Sequence, residues 1–293
     1  MAETLANAFK ERIKYAISKS KVATVITEGN VYQEGDLEIL PVHDEMVEKL
    51  ALPGSGLSGL DNLEELLEKA KSGKSCLLLL EHYSNFDLSI FSYLVRKAGG
   101  RGEEIGKSLI SIAGMKLNED NPVVAALASA FTRIVIYPSR SLQSLDPEKD
   151  SEEILKGKAI NLAAMKALVR HKYKGHLILV FPSGTRYRSW DPETKRGTRE
   201  IDSYIRTFDY MCCVALNGQI LHVQKTDMMN DLVGEDIVRV TAGKVFSCQE
   251  FREKACASCP EDYDKKQAVA DAIMNELERM HIDSEEERKK LLS

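Results

Sequence analysis

The central part of the chain alternates short apolar runs with longer amphipathic segments. The continuous apolar runs predict buried strands, and the segments in which apolar residues recur every three or four positions predict helices. The predicted strands are 75–80, 107–114, 133–137 and 176–181, and the predicted helices between them are 87–100, 122–131 and 151–173. Strands separated by helices of this length are typical of an α/β fold with a largely parallel mixed sheet flanked by helices.

The two ends of the chain add helices and further strands. Apolar positions at helical spacing predict helices over 5–20 and 42–52, and the sequence LPGSGLSG at 52–59 has the composition of a loop. We therefore predict a small helical N-terminal domain over 1–58 and an α/β domain over 59–293. Residues 60–73 read as an amphipathic helix that ends at a glycine. Late strands are predicted at 211–217, 220–224 and 236–246, and a charged helix from about Asp264.

Composition and charge narrow the class of protein. The 293 residues are 43% hydrophobic, which is enough for a substantial core, and the formal net charge is −5, which argues against a nucleic-acid-binding surface. The longest aliphatic runs are far shorter than the ~20 residues that span a bilayer, and the first residues do not resemble a secretory signal. The expected location is cytoplasmic, and a peripheral contact with a membrane stays open.

Two cysteines stand at CxxC spacing near the C-terminus. Cys256 and Cys259 lack a second pair of ligands at a matching distance, which a structural zinc site needs. We therefore expect them to be structural or incidental, and we expect neither a metal nor a cofactor.

A histidine and an aspartate follow the first buried strand of the α/β region. His82 and Asp87 are five residues apart, and on a straight helix such residues would diverge by about 140°. At a strand-to-helix turn the chain folds back, so an aspartate in the first helical turn can reach the imidazole. Such a pair suits general-base catalysis of alcohol acylation. Alternatively, Ser84 and Asp87 have capping-box spacing, and Asp87 could serve only the helix start.

The same spacing occurs a second time. His222 and Asp227 are also five residues apart, but the aspartate shows no helix start and no arginine loop follows it. The strand-to-helix context is therefore what favours the first pair.

A glycine- and arginine-containing loop follows the fourth predicted strand. Gly184 permits close approach of the backbone, Thr185 follows it, and Arg186 and Arg188 could clamp a phosphate. Alternatively, these arginines belong to a surface loop in which they pair with the nearby acidic residues Asp191 and Glu193. Arg140 also follows a strand, so it is expected at the same edge of the sheet.

Three segments in this order carry a family resemblance: HYSNFD at 82–87, residues 113–141 and FPSGTRYR at 181–188. They resemble the glycerolipid acyltransferase family, and most closely its soluble, plastid-type glycerol-3-phosphate 1-O-acyltransferases. The resemblance runs from about Gly59 to Phe251. It implies transfer of a fatty acyl group from acyl carrier protein or coenzyme A to the sn-1 hydroxyl of glycerol 3-phosphate. The product is lysophosphatidate, which places the reaction in phospholipid biosynthesis.

The resemblance also assigns roles to residues. His82 matches the general base and Asp87 the residue that orients it, while Arg186 and Arg188 match the arginines that hold the substrate phosphate. Where the soluble enzymes have a Lys-His pair, this chain has Arg140 followed by serine. Glu81 replaces the asparagine that commonly precedes the catalytic histidine. This acid either raises the pKa of the neighbouring histidine or points away from it.

Two other functions use the same motifs or the same fold. The first is acylation of 1-acylglycerol 3-phosphate. The second is a non-catalytic lipid or acyl-carrier binding protein, which the retained histidine, aspartate and arginines disfavour, because a binding protein has no use for a base.

Overall fold

The structure is a computed structural model that describes residues 3–23, 25–119, 121–226 and 228–292, apart from the side chain of Glu119. Its strands form a large central sheet and a small peripheral one. The strands are β1 (Glu3–Thr4), β2 (Tyr32–Gln33), β3 (Gly56–Ser58), β4 (Cys76–Leu80), β5 (Leu109–Gly114), β6 (Arg133–Ile136), β7 (Leu177–Val180), β8 (Tyr210–Asn217), β9 (Leu221–His222), β10 (Leu232–Val233) and β11 (Arg239–Ser247).

Helices precede, separate and follow these strands. They are α1 (Leu5–Ala8), α2 (Lys10–Lys19), α3 (Leu40–Leu50), α4 (Leu60–Lys71), α5 (Asp87–Lys97), α6 (Gly102–Ser108), α7 (Lys116–Glu119), α8 (Pro122–Ala128), α9 (Ser139–Gln143), α10 (Ser151–His171), α11 (Ile201–Ile205), α12 (Cys248–Ser258) and α13 (Lys265–Leu292). Short 3₁₀ turns occur at Pro192–Lys195 and Met228–Asn230.

The predicted α/β fold with a largely parallel mixed sheet is confirmed. Within the described residues the main sheet has eight strands in the order β2-β6-β5-β7-β4-β8-β11-β3, and the strands from β6 to β8 in this order all run parallel. Antiparallel pairing occurs where β2 joins β6 and where β11 joins β8. The β1, β10 and β9 strands form a separate antiparallel sheet.

The central strand β4 shows why its sequence is a continuous apolar run. Leu78 and Leu80 belong to the core on one face of the sheet, whereas Leu77 and Leu79 belong to the core on the other face. A strand with helices on both faces has no solvent-facing side, so every position is apolar. Because β4, β5, β6 and β7 are parallel, their carboxyl ends lie at one edge of the sheet, where this architecture places its ligand sites.

Three local predictions are wrong. The segment 52–59, predicted as a loop, contains β3, which pairs in parallel with β11. The predicted strand 107–114 begins only at Leu109, because Lys107 and Ser108 close α6. The predicted strand 220–224 is reduced to β9, which joins the small sheet.

The N-terminal helices share a core with the α/β region. Leu5, Ile13 and Met46 belong to the same buried cluster as Leu78 of β4. The division into domains at 58/59 stays a prediction. Among the described residues, no helix has the length and apolar character required to cross a bilayer.

Candidate active site

His82 lies in the loop that joins β4 to α5, and Asp87 begins that helix. The imidazole Nδ1 is 2.9 Å from Asp87 Oδ2. The carboxylate is almost fully buried and also accepts hydrogen bonds from the backbone N–H of Tyr83 (2.6 Å) and of Ser84 (2.8 Å) and from Ser84 Oγ (2.8 Å). Asp87 therefore does both things that the sequence left as alternatives: it contacts the histidine and it satisfies the polar groups of the turn.

The contacts of the His82 ring determine which nitrogen is available. A neutral imidazole that donates its Nδ1 proton to a carboxylate keeps Nε2 as an acceptor, and Nε2 has no hydrogen-bond partner within the described residues. Phe181, at the end of β7, stacks on the ring with a centroid distance of 4.0 Å and an interplanar angle of 20°. The ring is thus held by a carboxylate at its edge and an aromatic ring on its face, and Nε2 is without a partner in the part of the chain that the structure describes.

The arginine loop meets the histidine loop directly. The backbone N–H of Tyr187, which stands between the two arginines, donates to the carbonyl oxygen of His82 at 2.8 Å. Gly184 adopts a φ of 65°, a conformation that other L residues rarely adopt, and its N–H donates to the carbonyl of Phe181 at 2.9 Å. Two segments about a hundred residues apart in sequence therefore form one continuous rim.

Arg186 is held by an aspartate that sequence reasoning missed. Its Nη1 lies 2.9 Å from Oδ2 of Asp231, a carboxylate with no exposed surface. The other oxygen of Asp231 accepts the backbone N–H of Gln224 at 2.8 Å. Within the described residues Arg186 forms no ion pair with Asp191 or Glu193, the partners considered from the sequence. The ion pair with Asp231 positions the guanidinium. Its remaining N–H groups have no hydrogen-bond partner among the described residues and can contact a ligand.

A cavity of about 660 Å³ connects these groups. His82 lies at its border together with four of the predicted binding residues: Arg140, Gly184, Thr185 and Arg186. The fifth, Arg188, is not among the described residues that line it, and its backbone N–H donates to Thr194 Oγ1. Elsewhere the wall is largely apolar and includes Phe86, Leu88, Val124, Leu127 and Phe131.

Two further cations line the cavity. Lys116, the first residue of α7, is exposed and has no ion pair among the described residues. Sequence reasoning missed it as a site residue, although its position just after a strand is a signal that could have indicated it. Arg133 is fully buried, and its Nη1 donates to the carbonyl of Ala128 at 2.5 Å. Burial lowers the pKa of Arg133 to about 10, so it remains charged at neutral pH. These charges make the cavity attractive to an anionic ligand.

Glu81 points away from His82, the second of the two arrangements considered from the sequence. Its Oε2 accepts the backbone N–H of Leu216 at 2.8 Å and contacts Nδ1 of His281 at 2.9 Å, while its Oε1 accepts the hydroxyl of Tyr83 at 3.0 Å. The acid beside the catalytic candidate therefore contacts β8 and α13 rather than the imidazole of His82.

Three other sequence features lie outside this site. His222 is exposed in the small sheet, and Asp227 lies outside the described residues. Cys256 and Cys259 are free thiols at the end of α12. Within the described ranges, no group of three side chains of the kinds that bind metals is close enough to hold an ion.

Comparison with known proteins identifies the family. Residues 58–230, more than half of the chain and all of the predicted site residues, match the family described as Acyltransferase. No curated protein matches the chain. Among solved structures, the chain is similar to the 1-acyl-sn-glycerophosphate (LPA) acyltransferase PlsC from Thermotoga maritima, with 12% identity, a TM-score of 0.40, and coverage of 93% of this chain and 88% of that one. On the strength of the domain match, this chain belongs to the acyltransferase family.

Proposed function

We propose that this protein transfers a fatty acyl group from acyl-CoA or acyl carrier protein to the sn-1 hydroxyl of glycerol 3-phosphate. The observation that carries the proposal is the position of His82 and Arg186 on the border of one cavity, each held by its own buried carboxylate. A substrate with a hydroxyl at one end and a phosphate at the other suits a site with a base and a cation on a common rim.

The proposed chemistry needs one proton acceptor and no nucleophile from the protein. His82 Nε2 takes the proton of the substrate hydroxyl while that oxygen bonds to the thioester carbon. Asp87 stabilises the resulting imidazolium through the 2.9 Å contact at Nδ1. The carbon–sulfur bond then breaks, and the departing thiolate receives the proton from His82. The histidine returns to its neutral form, so the cycle balances.

The phosphate would be held by the cations of the rim. Arg186 is the strongest candidate, because Asp231 fixes its orientation. Arg140 is exposed at the cavity border and would supply a second charge. By the sequence resemblance, this is the position of the Lys-His pair of the soluble glycerol-3-phosphate acyltransferases. Arg188 was expected to complete the clamp, and its role stays a prediction that Arg188→Ala can test. Gly184 and Thr185 would bring their backbone close to the same group.

The alternative acceptor is 1-acylglycerol 3-phosphate, which already carries one acyl chain. The apolar wall of the cavity is compatible with the chain of either a donor or such an acceptor. A direct test is a thioester-consumption assay with glycerol 3-phosphate or 1-acylglycerol 3-phosphate as acceptor, with coenzyme A and carrier-protein donors in parallel. We expect turnover with glycerol 3-phosphate. Turnover with only the acylated acceptor would select the alternative.

A control separates catalysis from binding. If the wild type consumes no thioester but binds acyl donors with the same affinity as His82→Ala, the protein is a binding protein and the proposed function is wrong.

A further inference from the structure

The longest helix between strands of the main sheet, α10, carries apolar residues on both of its sides. Its inner side is buried at Gly157, Ile160, Ala164 and Ala167. Its outer side exposes large apolar residues in a row, with exposed fractions of 49–65%: Leu155, Leu162, Met165, Val169 and, just beyond the helix end, Tyr173. We refer to these five residues as the outer stripe.

The outer stripe follows the helix axis closely. At about 100° per residue, its five members lie within roughly 80° of arc, opposite the buried side. From Leu155 to Tyr173 it extends for about 27 Å. Single exposed apolar residues are normal on a protein surface, but an aligned row of this length is characteristic of a surface that contacts another apolar phase or partner.

The charged residues around the stripe are predominantly positive. Lys158, Lys166 and Arg170 are exposed on or beside it, Lys174 is exposed just beyond the helix end, and Lys156 is exposed on the flank of the helix, about 100° from Leu155. The acidic residues of this helix, Glu152 and Glu153, are confined to its first turn. Lys156 pairs with Glu153 at 3.8 Å, whereas the other four cations form no ion pair within the described part of the chain. The face is positive although the whole chain has a net charge of −5.

We propose that the outer stripe and its five cations dock the protein on an anionic lipid bilayer. A helix with apolar residues on one side and Lys or Arg at the margins of that side lies in the plane of the interface, where apolar side chains enter the acyl region and the cations contact phosphates. The overall negative charge of the chain would repel such a surface, so the positive face also determines the orientation of docking.

A second copy of this chain is a less suitable occupant. Antiparallel or parallel pairing of two outer stripes would bring the unpaired cations of both copies together, which opposes association. An acidic carrier protein would satisfy the charges. However, a surface that binds a small acidic protein depends mainly on charge. A continuous apolar row of about 27 Å fits the extended apolar phase of a bilayer better.

The position of α10 relates this surface to the candidate active site. Gly157 lies where an added Cβ would be 2.6 Å from the side chain of Leu142, which belongs to α9 together with Arg140. The first half of α10 therefore packs beneath the segment that forms one edge of the cavity. Docking through α10 goes beyond the proposed acyl transfer. It would place α10 between that cavity edge and the bilayer, so the edge would lie about one helix diameter, ~10 Å, from the membrane surface.

The test uses the full chain and vesicles in a co-sedimentation assay without substrates. Vesicles contain either phosphatidylcholine alone or phosphatidylcholine with an equal amount of phosphatidylglycerol. The wild type should bind the anionic vesicles, and added salt should weaken binding because it screens the charges. The double variant Leu162→Glu/Val169→Glu should bind at least about tenfold more weakly. The matched control is Val25→Glu/Leu37→Glu, which changes two residues that are at least as exposed, at 63% and 77%, outside α10.

Each outcome decides the proposal. It is supported if the α10 variant loses vesicle binding while the control retains it and both keep the wild-type unfolding temperature. It is overturned if both variants bind equally. It is also overturned if the wild type binds no anionic vesicles. A dimer, or a complex with acyl carrier protein, that Leu162→Glu/Val169→Glu abolishes would then identify the occupant of the stripe. Because no turnover is measured, a failure of the proposed acyl transfer would leave these outcomes unchanged.

Discussion

Two adjacent residues at the end of β4 take part in two different histidine–carboxylate pairs. His82 contacts Asp87 and Glu81 contacts His281, each with a nitrogen–oxygen distance of 2.9 Å. In both pairs the carboxylate is buried, and it accepts further hydrogen bonds from backbone N–H groups. Judged by the pair alone, either could be a base and its orienting acid.

The surroundings distinguish the two pairs. His82 borders the cavity together with Arg140 and Arg186, whereas His281 is not among the described residues that line it. The cluster at His281 joins three elements instead, because Glu81 follows β4, Leu216 belongs to β8 and His281 belongs to α13. A histidine–carboxylate pair therefore indicates catalysis only where it borders a cavity that also has a site for the rest of the substrate.

The largest expected difference between the pairs is in turnover. Replacement His82→Ala removes the proposed base and should lower kcat by about 10³-fold, within the range for general-base catalysis. His281→Ala should keep kcat within about threefold of the wild type, because a residue outside the cavity makes no contact with the reacting groups. Steady-state kinetics with glycerol 3-phosphate measures both. A comparable loss in both variants would remove the distinction.

Replacing the carboxylates of the two pairs, Asp87 and Glu81, should also affect kcat differently. The difference should be smaller than that between the two histidine variants. Asp87→Asn keeps the size of the side chain but withdraws the charge that stabilises an imidazolium, so kcat should fall by about 10²-fold or more. Glu81→Gln should have little effect on kcat and should instead lower the unfolding temperature, because the pair with His281 is lost. If Glu81→Gln reduced kcat as much as Asp87→Asn, Glu81 would also act on the reaction.

The two arginines of the loop at 181–188 test the other end of the proposed site, where the phosphate would bind. Arg186→Ala should raise KM for glycerol 3-phosphate by about 10- to 100-fold, since a charged hydrogen bond contributes about 1.5–3 kcal/mol. The control is Arg188→Ala, which changes the same residue type two positions away, outside the cavity lining. A rise in KM for both would support the predicted two-arginine clamp. An unchanged KM for Arg186→Ala would exclude Arg186 from the phosphate site.

The sequence predicted the pair His82 and Asp87, whose proximity depends only on the path of a few neighbouring residues. His82 and Asp87 are five residues apart at a strand-to-helix turn, so their proximity follows from the chain direction alone. The partners Asp231 of Arg186 and His281 of Glu81 are 45 and 200 residues away from them, and no periodicity connects them. Such pairs are formed by tertiary packing, which a single sequence does not specify.

The fold was predictable to the same extent. The strands β4 and β7 could be predicted from their continuous apolar runs, because strands buried on both faces have no polar positions. In contrast, β3 has the sequence Gly-Leu-Ser and resembles a loop by composition; it is a strand because β11 supplies its hydrogen-bond partners. Short edge strands of this kind depend on their neighbour more than on their own propensity.

The smallest expected effect concerns stability and pH at the pair that lies outside the cavity. Burial alone would lower the pKa of His281, but the hydrogen bond and the charge of Glu81 outweigh burial and raise it. A raised pKa means that the folded protein binds this proton more tightly than the unfolded chain does. The pair therefore stabilises the fold fully below the ordinary histidine pKa of about 6.5, and this contribution is lost as pH rises through the raised value.

We expect the stabilisation by the His281–Glu81 pair to decrease as pH rises. The test is to measure the unfolding temperatures of the wild type and of His281→Gln from about pH 5.5 to 8.5. The wild type should exceed the variant most at the acidic end, and the gap should narrow as pH rises. A gap that widens toward alkaline pH would mean that the neutral imidazole is the stabilising form. His281 would then act as an uncharged hydrogen-bond partner of Glu81, and the contrast with His82 would rest on the cavity alone.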